Sequence, residues 1–267
     1  MTRGPLWLLG FLLVAALAAP IVAPYSPEQI DLAQRRSPPA AAHWFGTDDL
    51  GRDVLARVLH GARVSLAVGL LSAAVAGASG IFIGGVAGYA GGVIDAALMR
   101  GTDAMLAVPR LPLLMIAAAL LEPTIPMLVV MIGLAGWMET ARVIRAEFRT
   151  LRSRDYVESA RAAGAGHARL ILAHLLPNAA HAVEVSITLA VARGILLESA
   201  LSFFGVGVRP PAASWGNMLY QAQAALATEP WLALVPGIFI LITTMSVNVA
   251  GEGISWGNHQ NTKTRNS

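Results

Sequence analysis

Glu184, Arg193 and Glu198 stand in a run that is otherwise strongly apolar, and they are the residues of this chain best placed to do something chemical. An ionisable group inside a hydrocarbon layer is costly, so it pairs, faces a polar path, or does both. At about 100° of rotation per residue, Glu184 and Glu198 fall on nearly the same helix face, while Arg193 points well away. Arg193 is therefore expected to look toward a translocation path or a neighbouring subunit, and Glu184 and Glu198 are candidates for the same roles. The plainer alternative is that all three lie near the membrane surfaces and snorkel or pair structurally. Catalysis finds less support. His43, His60, His167, His174, His181 and His259 are scattered, no HExxH run exists, and Pro177 separates His174 from His181, so no metal site is expected. The chain has no cysteine, which removes thiolate nucleophiles, disulfides and Cys-based metal sites. No serine sits in a nucleophile-elbow context, and no GxxxxGK[ST] loop is present to cradle nucleotide phosphates. Neither a catalytic residue nor a cofactor of its own is expected.

The elements that must hold those charges are membrane helices. Apolar residues make up 55% of the 267 positions and charged residues 13%, with a mean hydropathy of +0.60. A soluble domain carries about a quarter of its residues as Asp, Glu, Lys and Arg, and a soluble fold of this composition would expose large apolar patches. Six spans are predicted: Leu6–Val22, Val64–Ala87, Asp103–Leu121, Met127–Ile144, Ala182–Leu201 and Trp231–Ala250. Pro109 and Pro112, with Arg110 between them, point to a broken or half-inserted third segment. Arg3 followed by Leu6–Ala19, with small residues at Ala16, Ala18 and Ala19, also has the form of a signal peptide. Leu6–Val22 is nonetheless long enough to cross and completes the charge topology, so retention is expected.

Orientation follows from arginine. Arg142, Arg145, Arg149, Arg152, Arg154, Arg161 and Arg169 lie at the end of or beyond the fourth span, opposed only by Glu147, Asp155 and Glu158, which places that loop in the cytoplasm. Both termini are then cytoplasmic, in a multi-pass protein. A net charge of +3 and a pI near 9.8 could suggest nucleic acid, but the arginines cluster between apolar runs without interleaved aromatics, so lipid is the expected partner. The outside segment 23–61 ends in a helical pattern: Asp49 can cap a helix starting at Leu50, with Val54, Leu55, Val58 and Leu59 as its apolar stripe and Gly61 breaking it before the second span. Gly77, Gly80, Gly84, Gly85 and Gly88 recur at intervals of three and four, which predicts close helix contact, although glycine is frequent in membrane helices in any case.

The stretch Tyr156–Asn178, YVESARAAGAGHARLILAHLLPN, is too polar to span yet rich in helix formers. Gly164 and Gly166 should stop a first short helix. A second, from about His167 to Leu176, should end at Pro177. A helix–turn–helix protruding from a membrane bundle suits docking to a soluble protein. An arginine-rich anchor alone would not need Gly164 and Pro177 at this spacing.

This stretch resembles the EAA loop of importer-type ATP-binding-cassette permeases: Glu158, Ser159, Ala160, three residues, Gly164, then Leu176-Pro177. Ser159 replaces the usual second alanine, and His174 stands where the generic pattern has isoleucine. HWFGTDDLGRDVLARVLHGARVSL (43–66), GYAGGVIDAALMRGTDAMLAVP (88–109), ESALSFFGVGVRPPAASWGNML (198–219) and EPWLALVPG (229–237) resemble the second permease of the dipeptide, oligopeptide and nickel importers. The tail GEGISWGNHQNTKTRNS from Gly251 departs from that family's usual acidic-basic ending. The resemblance implies an all-α membrane protein of the type I ABC importer kind: residues 1–61 a first helix plus extracytoplasmic segment, 62–250 a five-helix core with the EAA loop at 156–178, and 251–267 a cytoplasmic tail. It implies a bacterial cytoplasmic (inner) membrane location, and a second homologous permease and an extracytoplasmic substrate-binding protein as partners. It also implies two ATP-binding subunits, or one fused, which hold ATP and Mg. Glu158, Ser159, Ala160, Gly164, Ala165, Gly166 and Pro177 would couple to those subunits. Cargo would be di- or oligopeptides, or else nickel or another peptide-like solute. Two readings of other classes are an ion-coupled secondary transporter, which often carries two related halves, and an intramembrane enzyme, which needs converging polar residues; the sequence displays neither feature.

Overall fold

The computed structural model describes residues 3–122 and 124–265, and among them regular structure is helical apart from one isolated bridge between Thr47 and Asp53. The first helix, α1 (Arg3–Leu17), gives way at Ala18 to the short α2 (Ala19–Val22). Pro20 explains the interruption, because its ring crowds the carbonyl four residues back and it has no N–H to donate.

The long α3 (Val54–Ala90) has 37 residues, about 55 Å, so it outreaches a hydrocarbon core of roughly 30 Å. Asp53 caps it, its carboxylate accepting from the Ala56 N–H at 2.7 Å, in place of the expected Asp49 cap at Leu50. The difference arises because Asp48 folds the preceding residues into a turn, accepting from the N–H groups of Leu50 and Arg52 at 2.9 and 3.0 Å. Nor does Gly61 break the helix. It lies against the backbone of Ser214, where an added Cβ would stand 3.3 Å from two main-chain atoms, so its smallness serves close packing.

The third segment is broken, as Pro109 suggested. Helices α4 (Gly92–Ala107) and α5 (Arg110–Leu121) meet at 79°, and Val108 between them is extended (ψ 124°), the conformation a following proline favours. The fourth segment also departs from a single span. It consists of α6 (Ile125–Leu134) and α7 (Trp137–Leu151) bent by 43°. Helix α7 continues past Ile144 and so carries Arg145 and Arg149, which the sequence placed in a loop, on an amphipathic end. Helices α8 (Asp155–Ala162), α9 (His167–Arg169) and α10 (Leu176–Asn178) form the polar loop; α11 (Ala180–Phe203), α12 (Trp215–Ala222) and α13 (Trp231–Arg265) complete the chain. Helix α13 runs on past Gly251, where the apolar pattern fades. Three helices, α3, α11 and residues 231–253 of α13, are long and apolar enough to cross a bilayer, and each bent pair could supply one further crossing.

Helix α3 is the axis of the bundle, and its glycines set how near the others come. An added Cβ at Gly84 would lie 2.3 Å from the carbonyl oxygen of Ala141 in α7, and one at Gly88 2.7 Å from that of Arg145. The expected close contact is thus with α7, backbone against backbone. Nearer the start of α3, Ile195 and Val191 of α11 crowd Gly69.

Candidate functional site

Helix α8 is held by one edge only. Val157 is fully buried, packing with Ile144 and Phe148 of α7 and with Leu170, Leu175 and Ala179. Ala160 and Ala165 rest partly buried on the same cluster. Glu158, Ser159, Gly164, Gly166 and Pro177 are exposed, so six of the seven expected coupling positions other than Ala160 divide into five on the outer surface and Ala165 on the anchor. Asp155 and Glu158 occupy the first turn and Arg161 the last, each matching the helix dipole.

The stop after α8 is a Schellman turn. Ala165 N–H donates to Ala160 O and Gly164 N–H to Arg161 O, both at 3.0 Å, while Gly164 adopts φ +87°. A Cβ at Gly164 would touch nothing within 4 Å. Glycine is required there by its left-handed backbone alone. Gly166 has φ −69° and open space around it, so neither factor demands glycine.

Beyond the turn, the second helix does not end at Pro177. From Leu170 to Leu175 the chain takes a wide π-type turn in which Leu176 N–H reaches back five residues to Ile171 O. That widening moves the proline ring off the carbonyl it would otherwise strike, and helical bonding resumes with Ala179 N–H to Leu175 O at 2.9 Å. The polar loop therefore leads into α11 with little interruption. It is also stapled to α3: Tyr89 Oη meets His167 Nδ1 at 2.5 Å, and Arg152 Nη1 donates to Tyr89 O at 3.1 Å.

The three intramembrane charges separate completely. Glu184 is exposed near the start of α11. Glu198 is fully buried and accepts from the hydroxyls of Ser65 and Ser202, each at 2.8 Å. Ser65 Oγ also accepts from Trp215 N–H at 3.2 Å, so Glu198 knits α3, α11 and α12 together. Arg193 pairs with Glu139 of α7, whose other oxygen accepts from Arg110 Nη2 of α5 at 2.7 Å. Sequence reasoning found Arg193 but neither Glu139 nor Arg110. Their placement directly after the two helix breaks was the available signal. Elsewhere on α7, Asp95 pairs with Arg145 and Asp103 with Arg142, tying α4 to α7.

On the far side, the conspicuous blocks at 43–66 and 198–219 pack onto each other. Asp48 takes both Arg52 and the buried Arg57, and Arg52 reaches Gln221 at 3.3 Å. His43 Nδ1 lies 2.8 Å from Asp53, the α3 cap. Trp215, also buried, donates its indole N–H to Val58 O at 3.0 Å, and Ser214 with Asn217 forms a capping box for α12. Buried ionic groups with this many hydrogen bonds hold one geometry. These residues build a scaffold.

Residues 80–255 match the family described as binding-protein-dependent transport system inner membrane component, and residues 6–39 match the N-terminal TM domain of oligopeptide transport permease C. A protein of Brucella suis named as a peptide permease is 42% identical over 91% of this chain and 81% of its own length. The dipeptide transport system permease protein of Bacillus subtilis is 38% identical over 93% of this chain and 78% of its own. The corresponding dipeptide permease of Haemophilus influenzae is 35% identical, over 94% and 88%.

Proposed function

We propose, from the premise that this chain belongs to the binding-protein-dependent transport system inner membrane component family, that it is the permease subunit through which an ATP-binding-cassette importer moves peptides into the cell. Peptides are preferred over nickel as cargo because the relatives most similar over nearly the whole chain carry peptide or dipeptide in their names. The complex would include a second homologous permease, two ATP-binding subunits or one fused, and an extracytoplasmic binding protein. ATP and Mg would be held by the ATP-binding subunits. The membrane would be the bacterial inner membrane, with both termini in the cytoplasm.

One observation carries the coupling role: the exposed outer face of α8 stands on a buried anchor that is continuous with two long helices. A push on Glu158, Ser159 and the Gly164 turn would pass through Val157 into Phe148 and Ile144 of α7. The same push would pass through His167 and Arg152 into the end of α3. Because α3 and α7 touch backbone to backbone at Gly84 and Gly88, they would move as one body and switch a bistable bundle.

Co-purification of the tagged chain tests the assembly, and Glu158→Lys tests the docking. Glu158 is exposed, so reversal of its charge should leave the permease folded. Peptide uptake and binding-protein-stimulated ATP hydrolysis should both fall by about tenfold or more if its carboxylate makes a charge-assisted contact. Unchanged uptake in Glu158→Lys, or a stable preparation lacking P-loop ATPases, would count against the reading.

A further inference from the structure

Arg110, Glu139 and Arg193 converge from three helices. Arg110 is the first residue of α5, directly after the 79° bend; Glu139 lies in the first turn of α7, directly after the 43° bend; Arg193 sits near the middle of α11. One carboxylate thus serves two guanidinium groups, through Oε1 to Arg110 and Oε2 to Arg193. The cluster keeps one uncompensated positive charge in a segment where charge is costly.

Beside it, Arg110 and Arg193 line a crevice whose other walls include Ser72, Ala76, Gly136 and Gly194. Its volume is about 10 Å³, room for a single water at most. Those four walls are small, and Ile132, Ala190 and Leu197 complete the lining. Glu139 follows Ala135–Gly136, the break in its own segment, where reorientation needs the fewest broken backbone bonds.

We propose that Arg110 and Arg193 form a transient binding site for a carboxylate of the passing cargo, with Glu139 occupying it when no cargo is present. The inference rests on the peptide-importer reading above. An incoming carboxylate replaces Glu139 on the two guanidinium forks, which suit it in geometry as well as charge. The displaced Glu139 is then the competitor that returns and releases the cargo, as conduction requires binding weak enough to leave.

The test uses the complete importer in proteoliposomes and two peptides matched in affinity for its binding protein, one with a free C-terminal carboxylate and one amidated. Arg193→Gln and Arg110→Gln should each lower uptake of the free acid about tenfold or more, the usual weight of a charge-assisted hydrogen bond. Uptake of the amide should stay within about twofold, and Arg193→Lys, which keeps the charge but not the fork, should restore free-acid uptake only in part. Equal loss for both peptides, or loss of the second permease from the purified complex, would assign the cluster to packing or to the subunit interface and overturn the proposal. No loss for either peptide would overturn it too. A wild-type importer that moved neither peptide would instead remove the cargo reading itself.

Discussion

Glu198 is enclosed by hydroxyl groups, with no cation against it among the described residues: Ser65 and Ser202 both donate to its carboxyl group. Removing that acceptor leaves two buried hydroxyl protons without a partner and opens a cavity, each at a cost of about 1–3 kcal/mol. Glu198→Ala should therefore lower the thermal midpoint of the purified permease sharply. Glu198→Gln, which keeps the volume and one of the two acceptor oxygens, should lower it clearly less; equal falls in both would mean that the carboxylate's charge matters. The sequence singled out Glu198 as an anomaly in an apolar run. Its partner Ser65 lies 133 residues away, and no local pattern links them. Arg193 tells the same story, because its partner Glu139 belongs to another helix and only the bundle brings them together.

Among the elements, the glycines of α3 and the turn at Gly164 make opposite predictions for similar substitutions. Gly84→Ala drives a methyl group into the Ala141 backbone, so α3 and α7 must separate, and the yield of folded protein on size-exclusion chromatography should fall. Gly101→Ala is the control, since nothing lies within 4 Å of its added Cβ; it should be neutral or slightly stabilising by helix propensity. Gly164→Val also meets no neighbour but forces a β-branched residue to φ +87°, a strain of roughly 1–2 kcal/mol or more. It should reduce ATP-driven uptake several-fold while the thermal midpoint falls by only a few degrees. An unchanged ratio of uptake to ATP hydrolysis, with both at wild-type levels, would show that the turn is not part of coupling. The stop at Gly164 and the break at Pro109 were legible because both are dictated by local backbone sterics. Gly61 and Pro177 were misread as breaks because their neighbours decide the outcome: Ser214 needs the space at Gly61, and a wide turn absorbs Pro177.

For the whole molecule, the absence of cysteine makes sidedness directly measurable. Ser26→Cys lies in the segment between α2 and α3 and should react with a membrane-impermeant maleimide from outside intact cells. Ala162→Cys, exposed at the end of α8, should react only in inverted vesicles. The reverse pattern would invert the proposed topology and place the docking face on the wrong side for ATP-binding subunits.

By itself the sequence determined that this is a helical membrane protein, and it marked the polar stretch 156–178 off from the apolar segments on either side. Those features depend on hydrophobicity, charge and short-range backbone preference, which are properties of neighbouring residues. Tertiary structure alone decided that the fourth segment bends and extends to Leu151, that Asp53 caps α3, and that the scattered charges gather around Glu139 and Asp48. Each depends on groups far apart in the chain meeting at hydrogen-bond distance. In a low-dielectric interior a buried charge is tolerable only where such a partner arrives, so the pairing is set by packing and not by spacing along the chain.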